Sequence, residues 1–404
     1  MSVSDERGAR PISLPEAVRG TPFDDDQFRV LCAEWRAGAL STETQRLAAA
    51  PGVLEGADTP VELGPELSAA QSAGFAAAGR AAIASGRVAL LIMAGGMATR
   101  FGGGAKGAVS IHPDHALSFL GLALRDTQRL ATTNGAASIP VVVMTSFATH
   151  DDVVAHLDAI DWGGVPSESR HVFGQSLMPR IEAQSGRALC EREDADALAL
   201  TTSFAAPGHG DTLGRLRDSG TLARLRERGV EHLLVANVDN LGARIDPLVL
   251  GAHLDAVRGG AKLTVEVVRR ETGDAGGCVA RLEQGPAIVE AFRLPEGVPL
   301  ERYPHFNTNT LWFELSGLDA PLPLDWFAVR REAPGVDDET VEVVQFERLI
   351  GQASEFLPTA FVSVPRALRF RPIKTREDLV ACAEEIEARI SRPDDFALTS
   401  AERT

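Results

Sequence analysis

The chain has 404 residues, 44% hydrophobic and 24% charged, with Lys+Arg 40 against Asp+Glu 56 and a formal net charge of −16. That length predicts two or three domains that bury a core without disulfide or metal staples. Such acidity excludes nonspecific binding to nucleic acid or to an anionic membrane, while leaving room for a small anion held by a few basic groups.

The N-terminus MSVSDERGAR is polar and no apolar run approaches a membrane span, so a cytoplasmic protein is expected. Cys32, Cys190, Cys278 and Cys382 lie far apart and form no CxxC pair, which argues against a zinc site and fits a reducing compartment. Residues 1–22 carry Pro, Gly and Ser without periodicity and predict a loose arm. Residues 24–50 read as a helix with an acidic start, and 64–85 as an Ala-rich second helix. Together, 1–85 is expected to be an N-terminal helical region packed on the core.

The pattern changes near residue 87. VALLIM (88–93) and PVVVMTS (140–146) are short apolar runs that suit buried parallel strands. HVF (171–173) and HLLVAN (232–237) predict two more. Helices are expected over 117–134, 150–160, 212–229 and 246–258, and this alternation predicts an α/β fold with a mostly parallel sheet. Farther on, KLTVEVVRR (262–270), CVARL (278–282), AIVEAF (287–292) and NTLWFEL (309–315) alternate like antiparallel strands. VVQFERLIGQASEFL (343–357) reads as a helix, TAFVSV (359–364) and LRFRPI (368–373) as strands, and 376–391 as a last helix. A catalytic domain is expected over 86–392, with 393–404 as a tail.

Residue usage narrows the search. Lysine stands only at 106, 262 and 374, and arginine supplies the other 37 basic residues. A chain that prefers Arg for generic charge and keeps a lysine points to a place where a compact ammonium is needed. Four of the five asparagines fall in two short motifs, NVDN (237–240) and FNTN (306–309).

In open α/β sheets ligands bind beyond the carboxyl ends of the parallel strands. MAGGMATRFGGGAKG (93–107) follows the first such strand, and its glycines would let backbone N–H groups approach phosphates while Arg100 and Lys106 add charge. It fails the Walker A pattern. Gly102, Gly104 and Gly107 satisfy GxGxxG, but some eight residues beyond the strand, too far for the dinucleotide turn. VANVDNLGARID (235–246) puts Asp239 just past a buried strand, where a carboxylate can hold Mg²⁺ or close a turn, and starts the next helix with Asp246, a candidate cap. APGHGD (206–211) precedes a helix whose amides can face an anion; His209, between glycines, is expected to be displayed, and Asp211 to cap. FNTNTLW offers amides for sugar hydroxyls, and RFRPIKTREDL (369–379) sets Lys374 after an apolar stretch. HPDH (112–115) reads as a loop, because Pro113 breaks a helical ligand pair.

Together with FGQSLMPRI (173–181), QFERLIG (345–351) and VPRALRFRPIKTREDL (364–379), these motifs resemble the UDP-glucose pyrophosphorylase family, in order, over about residues 88–380. The resemblance implies a Rossmann-like nucleotidyltransferase (GT-A type) mixed sheet and a uridylyltransferase acting on UTP and a sugar 1-phosphate. By motif, Met93, Ala94, Gly95, Gly96, Gln175, Gly208 and Asp239 would bind the nucleotide, with Gln175 reading the uracil edge. Lys106, Lys374 and Arg100 would be catalytic. His209, Asn237, Asn307, Thr308, Asn309 and Glu290 would hold the sugar phosphate, and Asp239 would bind Mg²⁺. Glucose 1-phosphate is the first expected acceptor, with N-acetylhexosamine 1-phosphate, galactose 1-phosphate and a noncatalytic sugar-nucleotide sensor as alternatives. An NAD-type oxidoreductase is the reading the GxGxxG match would support.

The chain departs from the family at Ala98-Thr99, where many members have Gly-Thr. It has Ala105 where many have Pro, and Ala275-Gly276-Gly277 where many have KGG. Only 30 residues follow Lys374, so the family's C-terminal β-helix is expected to be absent and a monomer or weak oligomer is expected.

Overall fold

A computed structural model describes residues 12–41, 43–64, 67–112, 117–336, 339–391 and 398. The main-sheet strands, numbered in chain order, are β1 Val61–Glu62, β2 Val88–Met93, β3 Val141–Thr145, β4 Arg170–Gly174 and β5 His232–Asn237. They continue with β6 Leu263–Arg269, β7 Cys278–Leu282, β8 Gly285–Val289, β9 His305–Glu314 and β10 Thr359–Ser363. The helices used below are α1 Asp25–Arg36, α2 Ala69–Ala84, α3 Phe119–Thr133, α4 His150–Ala159, α5 Asp211–Asp218, α6 Thr221–Glu227, α7 Pro247–Arg258, α8 Arg376–Ala381 and α9 Ala383–Ser391.

The strand order is β1-β10-β6-β9-β5-β2-β3-β4, with β7 and β8 forming a hairpin beside β9. Along this path β9 runs antiparallel to β5 and β6, and the other neighbours are parallel. The expected mixed, mostly parallel sheet is therefore present. β2 is apolar throughout because both faces are covered. Leu90 and Ile92 join a core built with α2, α3, α7 and α9, whereas Leu91 and Met93 join a second core with α5 and α6.

The Ala- and Gly-rich composition of α2 has a packing reason. A Cβ on Gly79 would lie 1.9 Å from the Pro247 carbonyl oxygen, and one on Gly251 would lie 1.9 Å from that of Phe75. α2 and α7 thus cross with backbones in contact. β1 extends the main sheet beside β10, while α1 packs Phe28 and Leu31 on Ile181, Val344 and Phe346 of a smaller sheet. Residues before 86 are therefore distributed over both sheets. At the other end Leu398 is buried in the first core, and its N–H donates to Asp246 Oδ2 at 3.1 Å.

Several expected elements differ. Of the helix expected over 343–357 only the end is helical, Ile350–Gln352 and Ala353–Phe356; its first five residues belong to strand Thr340–Glu347, paired with Phe327–Pro334, which the sequence reading missed. Its Val343, Val344 and Phe346 are buried against that sheet. The strand expected at 368–373 begins instead as a helical turn, Arg366–Arg369, because Arg369 points inward to a buried partner. Helix 24–50 ends at Arg36, 212–229 is split into α5 and α6, and 376–391 is split into α8 and α9. Residues 113–115 of HPDH and residues 1–11 of the expected arm lie outside the described residues. No described helix is long and apolar enough to cross a membrane.

Candidate active site

β2, β3, β4 and β5 are consecutive parallel neighbours, so their carboxyl ends open on one edge of the sheet. A cavity of about 290 Å³ lies there. Met93, Gly95, Gly96 and Lys106 line it from the first loop, Gln175 from the end of β4, and Asn237 and Asp239 from the end of β5. Gly208 and His209 close it from the loop before α5. Nine residues expected from separate motifs therefore meet in one place, together with Met144, Ala206 and Val238, which the sequence reading did not name.

Gln175 is 5% exposed and its amide is fixed. Its Nε2 donates to the Gly208 carbonyl at 2.9 Å, which turns Oε1 toward Gly95. A Cβ on Gly95 would lie 2.5 Å from that oxygen, so glycine is what lets the first loop lie against the amide. Gly208 has φ +73°, and a Cβ there would lie 2.5 Å from the Arg348 carbonyl.

Behind this edge stands Asp211. It was expected to cap a helix, but its carboxylate accepts from Ser176 N–H at 2.7 Å, from Ser176 Oγ at 3.2 Å and from Arg348 Nη2 at 2.8 Å. It therefore ties the Gln175 loop to the Gly208 loop and to the segment after Glu347. On its far side is a larger cavity of about 450 Å³, where the Arg348 guanidinium covers the Trp326 ring at 4.5 Å.

His209 lines the cleft half-buried, displayed on one side of its ring and packed on the other. Its Nδ1 accepts the Ile350 N–H at 2.9 Å, so the neutral ring carries its proton on Nε2. Burial pushes its pKa down to about 4. At neutral pH it offers an uncharged N–H donor.

Lys106 Nζ lies 2.7 Å from Asp239 Oδ2, with the two side chains 14% and 25% exposed. The first loop holds this lysine through Lys106 N–H to Gly96 carbonyl at 3.1 Å and Ala98 N–H to Gly104 carbonyl at 2.8 Å. Arg376 Nη2 braces the loop from α8 by donating to the Phe101 carbonyl at 2.8 Å. Ala98 and Ala105, the two family departures in this loop, are both buried in the packed core.

The FNTN segment reaches the cleft through a bulge. Glu266 pairs with Thr310 and Val267 with Asn307, so Thr308 and Asn309 are extra residues in β9. Asn309 takes φ 57°. Asn309 Nδ2 donates to Asn237 Oδ1 at 3.4 Å, and its own Oδ1 is buried without a partner. A buried orphan acceptor is costly, and a ligand hydroxyl would satisfy it. Asn307 Oδ1 accepts from Asn309 N–H at 2.9 Å and so orients it.

Seven expected site residues lie off the cavity lining, Asn307 and Asn309 of the bulge among them. Thr308 turns its hydroxyl to the Glu266 carbonyl at 2.7 Å and is structural. Ala94 is fully buried, its N–H bound to the Met144 carbonyl at 2.8 Å. Arg100 is exposed on the outside of the first loop, which the core has folded back on itself. Glu290 is half-buried beside Gly277, with its carboxyl raised above the usual range by burial. Lys374 is exposed on the rim, one residue after Ile373, whose N–H donates to the Asp239 carbonyl at 2.9 Å. Lys262 is elsewhere, bound to Glu314 and Ser316.

Fold and site thus define a Rossmann-like α/β protein with a glycine-lined, charge-bearing cleft at the ends of its parallel strands. The chain belongs to the UTP–glucose-1-phosphate uridylyltransferase family, whose model matches residues 72–389. It is 29% identical over 309 residues to a UTP–glucose-1-phosphate uridylyltransferase of Solanum tuberosum, covering 74% of this chain and 62% of that protein. A relative of the same name from Musa acuminata is 28% identical over 326 residues, covering 79% and 66%. The chain therefore spans less than two thirds of the length of these relatives. In fold it is similar to a UDP-N-acetylglucosamine pyrophosphorylase of Trypanosoma brucei, with TM-score 0.72, 18% identity and coverage of 94% and 82%. It is also similar to a UDP-glucose pyrophosphorylase variant of Leishmania major, with TM-score 0.67, 24% identity and coverage of 94% and 77%.

Proposed function

We propose that this chain transfers a uridylyl group from UTP to a sugar 1-phosphate, with glucose 1-phosphate the first acceptor, releasing pyrophosphate. The observation that carries this reading is the convergence of Gln175, the Lys106–Asp239 pair and Asn237 on one cavity, with Asn309 hydrogen-bonded to Asn237 behind the lining.

The residues divide the substrates between them. Gln175, with Gly95 and Gly208 against its amide, takes the uracil edge. Lys106 meets the phosphates from the floor and Lys374 from the rim. His209 Nε2–H donates to the sugar phosphate without adding charge, and Asn237 and Asn309 take its hydroxyls. A phosphate monoester is already ionised near neutral pH, so its oxygen attacks the α-phosphorus in line without a protein base. Catalysis is then positioning plus charge stabilisation.

Magnesium fits this donor set in one way. Among the described residues no three His, Cys, Asp or Glu come together. A single carboxylate suits Mg²⁺ that arrives on nucleotide phosphates and keeps most of its water. Asp239 would hold it, and the ion would supply neutralising charge to the leaving pyrophosphate.

The test is an acceptor and nucleotide panel. UTP with glucose, galactose and N-acetylhexosamine 1-phosphates, and ATP, GTP and CTP with the best acceptor, should give turnover chiefly with UTP and glucose 1-phosphate. Turnover with another acceptor would reassign the sugar. UTP binding without turnover with any acceptor would favour a sensor.

A further inference from the structure

Two segments of the cleft are distant in sequence and share a buried anchor. The first is 369–374, which carries Lys374. The second is Asn307–Asn309, the bulge that presents Asn309. Between them lies Glu266 on β6, with Arg369 against it, and both side chains are 0% exposed.

Glu266 is used from both ends. Its carboxylate accepts from Arg369 Nε at 2.9 Å, Arg369 Nη2 at 2.6 Å and Trp312 Nε1 at 2.9 Å. Its main-chain carbonyl accepts the Thr308 hydroxyl at 2.7 Å, at the point where β9 bulges. One residue therefore fixes the start of the Lys374 segment with its side chain and the amide bulge with its backbone.

From Arg369 the order passes to Asp239. The Arg369 carbonyl accepts Asn240 Nδ2 at 3.2 Å, and Asn240 Oδ1 accepts Arg371 N–H at 2.8 Å. Leu241 N–H donates to the Arg371 carbonyl at 3.1 Å, and Ile373 N–H to that of Asp239 at 2.9 Å. Asn240, 4% exposed, is thus spent wholly on holding 369–373 along 239–242. This small ribbon sets Lys374 one residue beyond the backbone bond to Asp239.

We infer that the Glu266–Arg369 pair is a positioning couple that sets the Lys374 segment and the Asn307–Asn309 bulge relative to each other. Replacing a buried ion pair by apolar groups of similar size is often neutral for folding, so stability alone gives such a pair little reason to exist. A fork of fixed direction does give one, because the two parallel bonds from Arg369 Nε and Nη2 hold the guanidinium and carboxylate in one plane and one orientation. The kinetic consequence rests on the uridylyl-transfer reading; the structural coupling does not.

The test uses the full chain with two variants, Arg369→Lys and the double Glu266→Met/Arg369→Met. Hydrogen exchange is the first readout. Peptides covering 366–376 and 305–312 should lose protection together, while 171–178 around Gln175 stays unchanged. Loss confined to one of the two segments, or loss spread evenly over the chain, would overturn the coupling. The second readout is kinetic: in folded Arg369→Lys, kcat should fall by ~10²-fold while the UTP Kd moves by less than about threefold, as displacement by about an ångström implies. Unchanged kcat, or a Kd that rises in step with the loss, would overturn the positioning role. A wild-type chain without turnover would remove the uridylyl-transfer reading and leave the exchange result to decide the coupling.

Discussion

Lys106 Nζ and Asp239 Oδ2 are 2.7 Å apart across the cleft, joining the loop after β2 to the end of β5. Each residue neutralises the other. On the uridylyl-transfer reading, Lys106→Ala would leave Asp239 facing the substrate phosphates alone, so repulsion adds to the lost donor. The expected loss in kcat is ~10²–10³-fold, the scale of one strong electrostatic donor. Lys106→Arg should recover less than about tenfold of it, since a guanidinium cannot take the place of a compact ammonium here. Steady-state kinetics of both variants decide the point, and full rescue by Arg would show that bulk charge suffices.

Gly95→Ala should act on the nucleobase. Its new Cβ would lie 2.5 Å from Gln175 Oε1 and 3.4 Å from Ser146 Cβ, so the amide must turn away from the Gly208 carbonyl. The UTP KM should rise by about tenfold or more, since a site built to hydrogen-bond a group loses most when that bond is denied. The preference for UTP over CTP should narrow. An unchanged preference would separate Gln175 from base recognition.

Acid should weaken the fold through its histidines. His209 is held at about 4, and the buried His253–His232 pair is also lowered by desolvation, with His232 adding like charge against His253. A depressed folded pKa means the unfolded chain binds the extra proton first. These groups therefore contribute fully above about pH 6.5, and the contribution is lost as pH falls below it, for His209 down through about 4. Thermal melting between pH 7 and 4 should show a steep decline that His209→Asn makes shallower. Over the same range above about pH 5, kcat/KM should show no step from His209, which stays neutral.

Lys374 stands exposed on the rim, outside the cavity lining. If uridylyl transfer is the reaction, Lys374 would meet the phosphates across the open edge, and its loss should lower kcat by ~10²–10³-fold with little change in stability. Lys262→Ala is the control. That lysine is engaged by Glu314 and Ser316 away from the cleft and should leave turnover unaltered. Equal effects of the two substitutions would remove Lys374 from the chemistry.

Glu266→Ala should destabilise strongly. It leaves the Arg369 guanidinium fully buried without its partner, a change that costs about 3–5 kcal/mol. Urea denaturation measures it. A loss below about 1 kcal/mol would mean that water enters and solvates the cation.

Much of this was readable from local pattern. β2 and β3 are apolar runs and β5 nearly so, β4 holds only the short HVF, and the loops after β2, β4 and β5 carry Gly95, Lys106, Gln175, Asn237 and Asp239. What could not be read depends on distant partners. Thr340–Glu347 has a helix-compatible apolar spacing and becomes a strand because Phe327–Pro334 pairs with it. LRFRPI alternates like a strand, yet Arg369 turns inward to Glu266, 103 positions away. His209 reads as displayed between its glycines and does line the cleft, but that Ile350, 141 positions on, occupies Nδ1 could not be read. The amide motif was legible as chemistry, while the bulge that divides it into a structural Thr308 and a cleft-facing Asn309 arises only from pairing with β6.

The most direct measurement is the product balance of one reaction: UTP and glucose 1-phosphate with Mg²⁺, with UDP-glucose and pyrophosphate quantified in the same sample, beside Lys106→Ala and a chelated control. The expected result is equal amounts of the two products from the wild-type chain, a ~10²–10³-fold slower rate in the variant and none with chelator. Pyrophosphate without UDP-glucose, or neither product from protein that binds UTP, would contradict uridylyl transfer at this cleft.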